Sequence, residues 1–174
     1  MTPRLRPARP ADALPLAALA RETYAAAFAH TFALASDLAA HLEASISDAA
    51  VAQWIADAEV TVADLGGRIV GFAQYGPTPA GSYGGYPAKG EPAIHRLYVA
   101  RDLIGQGLGG ALLRHALAEV NAARRDVYLD VWEGNTGAQR LYGRHGFVPL
   151  GPVATPTASG SGAGFDVVMV RRAG

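Results

Sequence analysis

Apolar residues recur at helical spacing in the first third of the chain and at strand-like spacing later. The spacing predicts a first helix over Leu14–Phe28, with Asp12 as its N-cap. A second helix is expected near Ser36–Ser45, and Ser47 is placed to cap a third. The early part of the chain is therefore predicted to be mainly helical.

The later chain alternates predicted strands with helices. The predicted strands are Thr2–Pro7, Val60–Asp64, Arg68–Tyr75, Ile94–Val99, Asp126–Trp132, Phe147–Leu150 and Phe165–Arg171, with helices at Leu108–Ala122 and Asn135–His145. The pair Gly66-Gly67 predicts a hairpin, because glycines reach the positive φ angles of tight turns. The Gly-rich stretches Gly76–Gly90 and Ser159–Gly164 are predicted loops. No linker interrupts this order, so we expect a single α/β domain over residues 1–174.

Composition narrows the class of protein. The 174 residues are half apolar, which predicts a packed core, and 15 basic and 15 acidic side chains give a net charge of zero. No bulk positive field therefore favours nucleic acid or anionic membranes. The chain has no cysteine, which excludes a thiol nucleophile. It also contains no HxH or HxxxH motif, so a metal site is not expected. No apolar run of about 18 residues or signal-like N-terminus occurs, so we expect a cytoplasmic protein.

The segment Arg101–Gly110 combines four glycines with a following helix. Glycines at 105, 107, 109 and 110 leave backbone N–H groups uncovered, and the helix N-terminus adds positive charge. Such a loop can bind a diphosphate. Because short glycine motifs are common, a plain connecting turn is the alternative.

Two nucleotide-binding folds use glycine-rich loops of this kind. No GxxxxGK[ST] motif is present, which argues against a P-loop. Gly105, Gly107 and Gly110 match GxGxxG, and Asp130 follows at the spacing of a ribose-binding acid, so dinucleotide binding stays open. The loop lies late in the chain and some distance after Val99, where the dinucleotide fingerprint needs a tight turn.

Arg96–Val99 with Ile104–Gly109, and the segment from Asn135 to Phe147, form two motifs that resemble those of the GNAT family of N-acetyltransferases. The family's acetyl-CoA strand and phosphate loop are similar to Arg96–Val99 and Ile104–Gly109, and its second motif is similar to Asn135, Ala138, Leu141, Tyr142, Gly146 and Phe147. The segments Arg21–Phe28 and Val131–Asn135 and the helix around Asp37-Leu38 are also weakly similar to the spermidine/spermine-acetylating branch. The resemblance implies a mixed, mostly antiparallel, splayed sheet of about seven strands flanked by helices.

The resemblance also implies acetyl-CoA as co-substrate. Its pantetheine arm is expected to pair with backbone groups of Leu97 and Val99, with the Val99 N–H polarising the thioester carbonyl. The residues implied to contact the cofactor are Leu97, Tyr98, Val99, Ile104, Gly105, Gln106, Gly107, Leu108, Gly109, Gly110, Asn135, Ala138 and Tyr142. Ile104 stands where the family usually has Arg or Gln, so one side-chain contact to phosphate is missing. Gln106, Arg101 or Arg114 could supply it instead.

Amide formation from a thioester needs a base for the ammonium and an acid for the thiolate. The resemblance assigns the acid to Tyr142, with a purely structural core tyrosine as the alternative. Ala93 stands where many family members have Glu, and strict strand alternation puts His95 on the same face. His95 is therefore a candidate base. Glu91 acting through water and a structural role for His95 are alternatives.

The acceptor is expected to meet the early helices and the Gly76–Gly90 loop. An aromatic wall attractive to a cation is predicted from Tyr24, Phe28, Phe32, Tyr75, Tyr83 and Tyr86. Glu22 and Glu43 are candidates to hold its ammonium. The sequence thus predicts an N-acetyltransferase for a primary amine of a small molecule, polyamines included, or of a peptide. A homodimer is consistent with the family, and a weakly catalytic acyl-CoA sensor and a dinucleotide-binding protein are alternatives.

Overall fold

The structure is a computed structural model that describes residues 2–78, 86, 90–154 and 165–174. Its strands are β1 Arg4–Pro7, β2 Glu59–Leu65, β3 Arg68–Pro77, β4 Pro92–Val99, β5 Val127–Trp132, β6 Val148–Ala154 and β7 Phe165–Arg171. Its helices are α1 Ala13–Phe28, α2 Ala35–Ile46, α3 Asp48–Asp57, α4 Leu108–Glu119 and α5 Thr136–Arg144. The predicted loop Ser159–Gly164 and most of Gly76–Gly90 lie outside the described residues.

Within the described residues the strands form one seven-stranded sheet in the order β1-β2-β3-β4-β5-β7-β6. All neighbouring strands are antiparallel except β4 and β5, which are parallel. Gly66 and Gly67 join β2 to β3 with φ angles of 62° and 91°, which confirms the predicted hairpin. The mixed, mostly antiparallel sheet flanked by helices is also confirmed.

The sheet splits between β4 and β5. In the ladder between these strands, Ala93 and Tyr128 are the one matched Cα pair. Beyond that pair β4 stays bonded to β3, while β5 pairs with β7 along its whole length. Because β4 and β5 run in the same direction, the gap opens toward Val99 and Trp132.

Backbone polar groups of β4 face this gap. The Ala100 N–H donates to the Val70 carbonyl oxygen of β3 at 2.9 Å. Hydrogen-bonding direction alternates along a strand, so the N–H and C=O groups of Leu97 and Val99 point away from β3. They are turned toward the side from which β5 has separated.

Helices cover both faces of the sheet. On one face, Trp54 of α3 stacks on Phe72 with ring centroids 6.5 Å apart. On the other face, a Cβ added to Gly71 would lie 3.1 Å from Leu112 of α4. Adjacent strand residues point to opposite faces, so α3 and α4 enclose the sheet between them. The fully buried side chains of this core include Leu16, Val62, Phe72, Leu112, Leu113 and Leu129.

One predicted helix cap is correct and another is wrong. The Ser47 side chain accepts the Ala50 N–H at 3.3 Å and caps α3. Asp12 makes no capping bond to α1. Its carboxylate instead accepts Arg6 at 2.7 Å and the Arg9 N–H at 2.7 Å, because the guanidinium is a stronger partner than a helix amide.

The close approach at Gly71 makes a testable prediction for stability. A Cβ there would meet the Tyr98 carbonyl oxygen at 3.0 Å as well as Leu112, so Gly71→Ala should destabilise the fold by about 1–3 kcal/mol. Gly143, exposed in α5 with no atom within 4 Å of an added Cβ, is the matched control. Gly143→Ala should stabilise by about 0.5–1 kcal/mol. Urea unfolding measures both, and a neutral Gly71→Ala would contradict the packing described.

Candidate active site

The glycine loop lies at the open end of the gap. After β4 the chain makes a short 3-10 turn at Arg101–Leu103, and α4 begins at Leu108. Gly105 and Gly107 have φ angles of 83° and 84°, and a Cβ on either would meet no protein atom within 4 Å. No side chain of the described residues caps the first turn of α4. Its N–H groups are therefore left to bind an anion.

Gln106, one of the side chains expected to replace the phosphate contact missing at Ile104, bonds within the loop instead. Ile104 is 68% exposed at the loop surface, and Gln106 donates to the Asp102 carbonyl oxygen at 2.9 Å within the loop itself. Arg114 and His145 both come within 4 Å of the position of an added Cβ on Gly110. Arg114 thus lies beside the first turn of α4, as its proposed role requires, and the His145 ring lies there as well.

Asn135 directly precedes α5, the helix that follows β5, and Tyr142 lies within it. The Asn135 side chain accepts the Ala138 N–H at 3.1 Å and so caps this helix. Tyr142 is 7% exposed and packs edge-on against Phe147. Burial raises the pKa of the Tyr142 hydroxyl, and the charges of Tyr98 and Asp130 raise it further. Tyr142 is therefore a protonated phenol throughout the physiological range.

His95 occupies a β-bulge, which the predicted strand alternation did not include. The register between β3 and β4 moves from Gln74–Arg96 to Tyr75–Ile94, which leaves His95 as the extra residue. Residues 93, 95, 97 and 99 therefore do not share one face. Accordingly, Ala93 packs in a small cluster with Tyr128, whereas residues 97 and 99 pack against the main core.

The surroundings of His95 favour its neutral form. Burial lowers the pKa of the imidazole below its ordinary value, and the nearby Arg96 charge lowers it further. Hydrogen bonds to the backbone of Gly76 and Pro77 counter part of this shift. Glu91, the alternative base, instead lies 3.3 Å from Arg125 at the closed end of β4.

An aromatic cluster borders the gap on the side of α1 and α2. The Tyr24 ring centroid lies 4.7 Å from Phe28 and 4.9 Å from His41. Phe28 and His30 both contact Trp132 at the end of β5, with centroid distances of 6.2 and 5.0 Å. The segment between α1 and α2 thus reaches across to the strand that borders the gap.

This cluster contains part of the predicted aromatic wall. Tyr24 and Phe28 belong to it, and Phe32 lies 5.6 Å from His41. Tyr75 does not, because it is 4% exposed and its hydroxyl bonds Thr61 in the core. Tyr86 packs beside Ala93 and Tyr128, and Tyr83 lies outside the described residues. Glu22 and Glu43 are exposed on α1 and α2.

Two charged residues of the gap were not identified as candidates from the sequence. Asp130, considered above only as a ribose-binding acid, is solvent-accessible on β5, and desolvation by the surrounding protein raises the pKa of its carboxyl. Arg96 is half-buried on β4, and its charge partly offsets that shift. The position of Asp130 inside a predicted strand could have drawn attention to it, since Asp is depleted in strand interiors.

Across the described ranges, no three or more His, Asp or Glu side chains are grouped to hold a metal ion. None of the helices described is long and apolar enough to cross a membrane.

A sheet split between two parallel strands, with a glycine loop at its open end and a buried tyrosine beside it, is characteristic of an acyl-CoA-dependent acyltransferase fold. The model of the acetyltransferase (GNAT) family matches residues 21–147, and the chain belongs to this family. The match confirms the resemblance drawn from the two sequence motifs.

Individual relatives agree with this assignment. A probable spermine N(1)-acetyltransferase of Bacillus subtilis subsp. natto is 39% identical over 85 residues, 47% of this chain and 53% of the relative. The match thus spans about half the length of the curated relatives.

Solved structures match over nearly the whole chain. The PaiA N-acetyltransferase of Thermoplasma acidophilum in complex with coenzyme A has a TM-score of 0.75 at 18% identity, covering 99% of each chain. A histone acetyltransferase HPA2 and related acetyltransferase of Corynebacterium glutamicum has a TM-score of 0.73 at 25% identity, covering 100% of this chain and 98% of its own. At these identities the likeness establishes the fold.

The conformation of Gly107 gives a prediction for cofactor binding. An Ala residue at φ 84° is strained by about 1–2 kcal/mol, and relief of that strain would rotate the peptide groups at the start of α4. Gly107→Ala should therefore weaken coenzyme A binding by about tenfold in calorimetric titration. Gly90→Ala is the control, because Gly90 has a similar φ of 77° at the closed end of β4. Equal affinity in both variants would contradict a role for the loop backbone.

Proposed function

We propose that this protein is an N-acetyltransferase that moves an acetyl group from acetyl-CoA to the primary amine of a small molecule or peptide. The observation that carries the proposal is the gap between β4 and β5, which opens onto the glycine loop. The backbone groups of Leu97 and Val99 face this gap and can pair with the pantetheine amides. The family assignment supports the same chemistry.

The proposed cofactor contacts follow the path of the gap. The N–H groups of residues 105–110 would hold the diphosphate, with the α4 N-terminus contributing its positive end. Arg114 beside Gly110 can supply the cationic contact that Ile104 lacks, and the His145 ring lies next to it. Asn135, which caps α5, and Ala138 and Tyr142 within that helix would line the β5 side. The Val99 N–H would donate to the thioester carbonyl oxygen as negative charge develops there.

The reaction is a direct displacement. The neutral amine nitrogen attacks the thioester carbonyl carbon, a C–N bond forms, and the C–S bond of the tetrahedral intermediate breaks. The amine loses a proton to a base, and Tyr142 donates its phenolic proton to the departing thiolate. The products are the N-acetyl amide and coenzyme A as its thiol. Tyr142 recovers its proton from solvent, and the base releases the proton that it took from the amine.

His95 remains our proposed base. Its pKa is held below the ordinary value by burial and by Arg96, so the imidazole is neutral and able to accept a proton at physiological pH. The bulge places it outside the regular ladder, between residues that pack on opposite faces. Bulges are frequent beside active sites, because they redirect a side chain.

The acceptor is proposed to enter from the side of α1 and α2. The aromatic cluster there offers ring faces to a cationic or apolar group. Polyamines are candidates, because the curated Bacillus relatives are named spermine acetyltransferases. Peptide amines and other small amines are equally compatible with the ring faces of this cluster.

A catalytically weak acyl-CoA sensor is the second candidate. Ala93 is fully buried and provides no carboxylate, and Ile104 provides no phosphate contact. Thiol release from acetyl-CoA with a panel of amines separates the two functions. Turnover of any amine supports the enzyme, whereas coenzyme A binding without turnover supports the sensor. Thermal stabilisation by NAD but not by coenzyme A would contradict both.

The role of Tyr142 can be tested with one matched pair of variants. Tyr142→Phe removes the proposed acid and should lower kcat by about 10²–10⁴-fold. Tyr75→Phe makes the same change at a buried tyrosine that bonds Thr61 in the core, and should leave kcat unchanged. Thiol release at saturating acetyl-CoA measures both. A Tyr142→Phe enzyme with normal kcat rules out the assigned acid.

The role of His95 can be tested by the pH dependence of kcat/KM. A base must be neutral, so activity should rise with pH through the pKa of His95 and level off above it. Because that pKa is lowered, the midpoint should fall below 6.5. His95→Gln should remove this limb and lower the plateau, whereas His115→Gln, on α4, is the control and should keep it. An unchanged profile in His95→Gln excludes His95 as the base.

A further inference from the structure

Arg96 is a partly desolvated cation held in place by neutral groups. Its guanidinium lies 4.0 Å from the centre of the Trp54 ring. One of its nitrogens donates to the Gln74 side-chain oxygen at 2.5 Å, and Gln74 is itself 6% exposed. These contacts fix the orientation of the guanidinium but do not neutralise its charge.

No carboxylate pairs with Arg96. The ion pairs among the described residues involve Arg6, Arg21, Arg68, Arg125 and Arg172. The residues outside the described ranges contain neither Asp nor Glu, so they cannot supply the missing anion. Desolvation lowers the pKa of Arg96 by more than its interactions with Tyr98 and Asp130 raise it, as expected for a cation that has lost water without gaining a salt-bridge partner. A buried charge of this kind normally has a partner.

Arg96 is close to the groups of the acceptor side. Its charge lowers the pKa of His41 on α2 and acts on Tyr24 of α1, and both rings belong to the aromatic cluster. Trp54, on which it stacks, belongs to α3. The guanidinium therefore lies on the side of α1, α2 and α3, on the face of the sheet opposite α4.

Asp130 provides the opposite charge on the other strand. It lies two residues beyond Tyr128, the last β5 residue matched to β4, and so belongs to the splayed part of the sheet. Its carboxylate is solvent-accessible and forms none of the ion pairs found among the described residues. Asp130 interacts electrostatically with Arg96 and with Tyr142, the proposed acid. An unpaired cation and an unpaired anion thus face one gap beside the reacting centre.

We propose that the acceptor is a zwitterionic amine of the amino-acid class, whose carboxylate binds Arg96 and whose ammonium is held by Asp130 before it reacts. A planar guanidinium binds a carboxylate through two parallel hydrogen bonds, which would position the neighbouring nitrogen. The same cation disfavours polyamines, which have no negative group to place there. This inference rests on the proposed acetyltransferase activity and names the acceptor class of that site.

A substrate panel tests the inference with the unmodified protein. Thiol release from acetyl-CoA is measured with α-amino acids, their amides, the corresponding decarboxylated amines and spermidine. We expect kcat/KM to be about 10- to 100-fold higher for an amino acid than for its amide or decarboxylated form. Equal or faster turnover of spermidine overturns the inference and leaves the acetyltransferase function intact. No turnover of any amine, with coenzyme A still bound, overturns both.

Variants then assign the selectivity to Arg96. Arg96→Gln should raise KM for amino acids by about 10- to 100-fold, with little change in kcat or in turnover of decarboxylated amines. A purely structural Arg96 would impair all acceptors alike, and that result overturns its assigned role. Arg172→Gln removes an exposed arginine paired with Asp126 and is the matched control.

Asp130→Asn gives an independent test that keeps Arg96 and its packing on Trp54. It removes the proposed ammonium contact and should raise KM for amino acids and for decarboxylated amines by similar factors. Unchanged KM values in Asp130→Asn overturn the proposed ammonium site. If Arg96→Gln does not fold, Asp130→Asn and the substrate panel still decide the question.

Discussion

Parallel pairing between β4 and β5 ends after one residue pair, and the arrangement of the whole site depends on that interruption. Each strand is held on its outer side, β4 by β3 and β5 by β7, so neither needs the other to satisfy most of its hydrogen bonds. The backbone amides of β4 that face the gap are left without a strand partner. Unpaired amides inside a domain are costly unless a ligand or water meets them. The gap is thus a binding site because the sheet is incomplete there.

The side chains around the gap share a single electrostatic environment. Burial raises the pKa of Tyr98 to about 12 and that of Tyr142 further still, which keeps both phenols protonated. The shifts at Asp130 and Arg96 have the same cause, since each loses water without gaining an ion-pair partner. In such surroundings charges interact more strongly than in water. A proton donor and two sites for substrate charge can therefore influence one another without direct contact.

Much of this arrangement could be predicted from the sequence, and the exceptions have physical reasons. The Gly66-Gly67 hairpin, the Ser47 cap and the glycine loop follow from local rules that depend on neighbouring residues. The bulge at His95 does not, because it depends on how β3 and β4 pair. Asp12 was assigned to a helix cap, whereas folding brings Arg6 to it. The cluster of Tyr24, His41 and Trp132 joins three elements distant in sequence, which periodicity cannot reveal.

The width of the gap has an unusual determinant. In an ordinary sheet, backbone hydrogen bonds fix the strand separation at about 4.8 Å. Here the two halves of the sheet are joined by one matched pair, so their separation depends on the helices that lie beneath them. α4 and α5 meet where Gly109 approaches Leu141 and Gly110 approaches His145. Residue size at those two contacts can therefore adjust the spacing of β4 and β5, so the width of the site depends on how closely two helices pack.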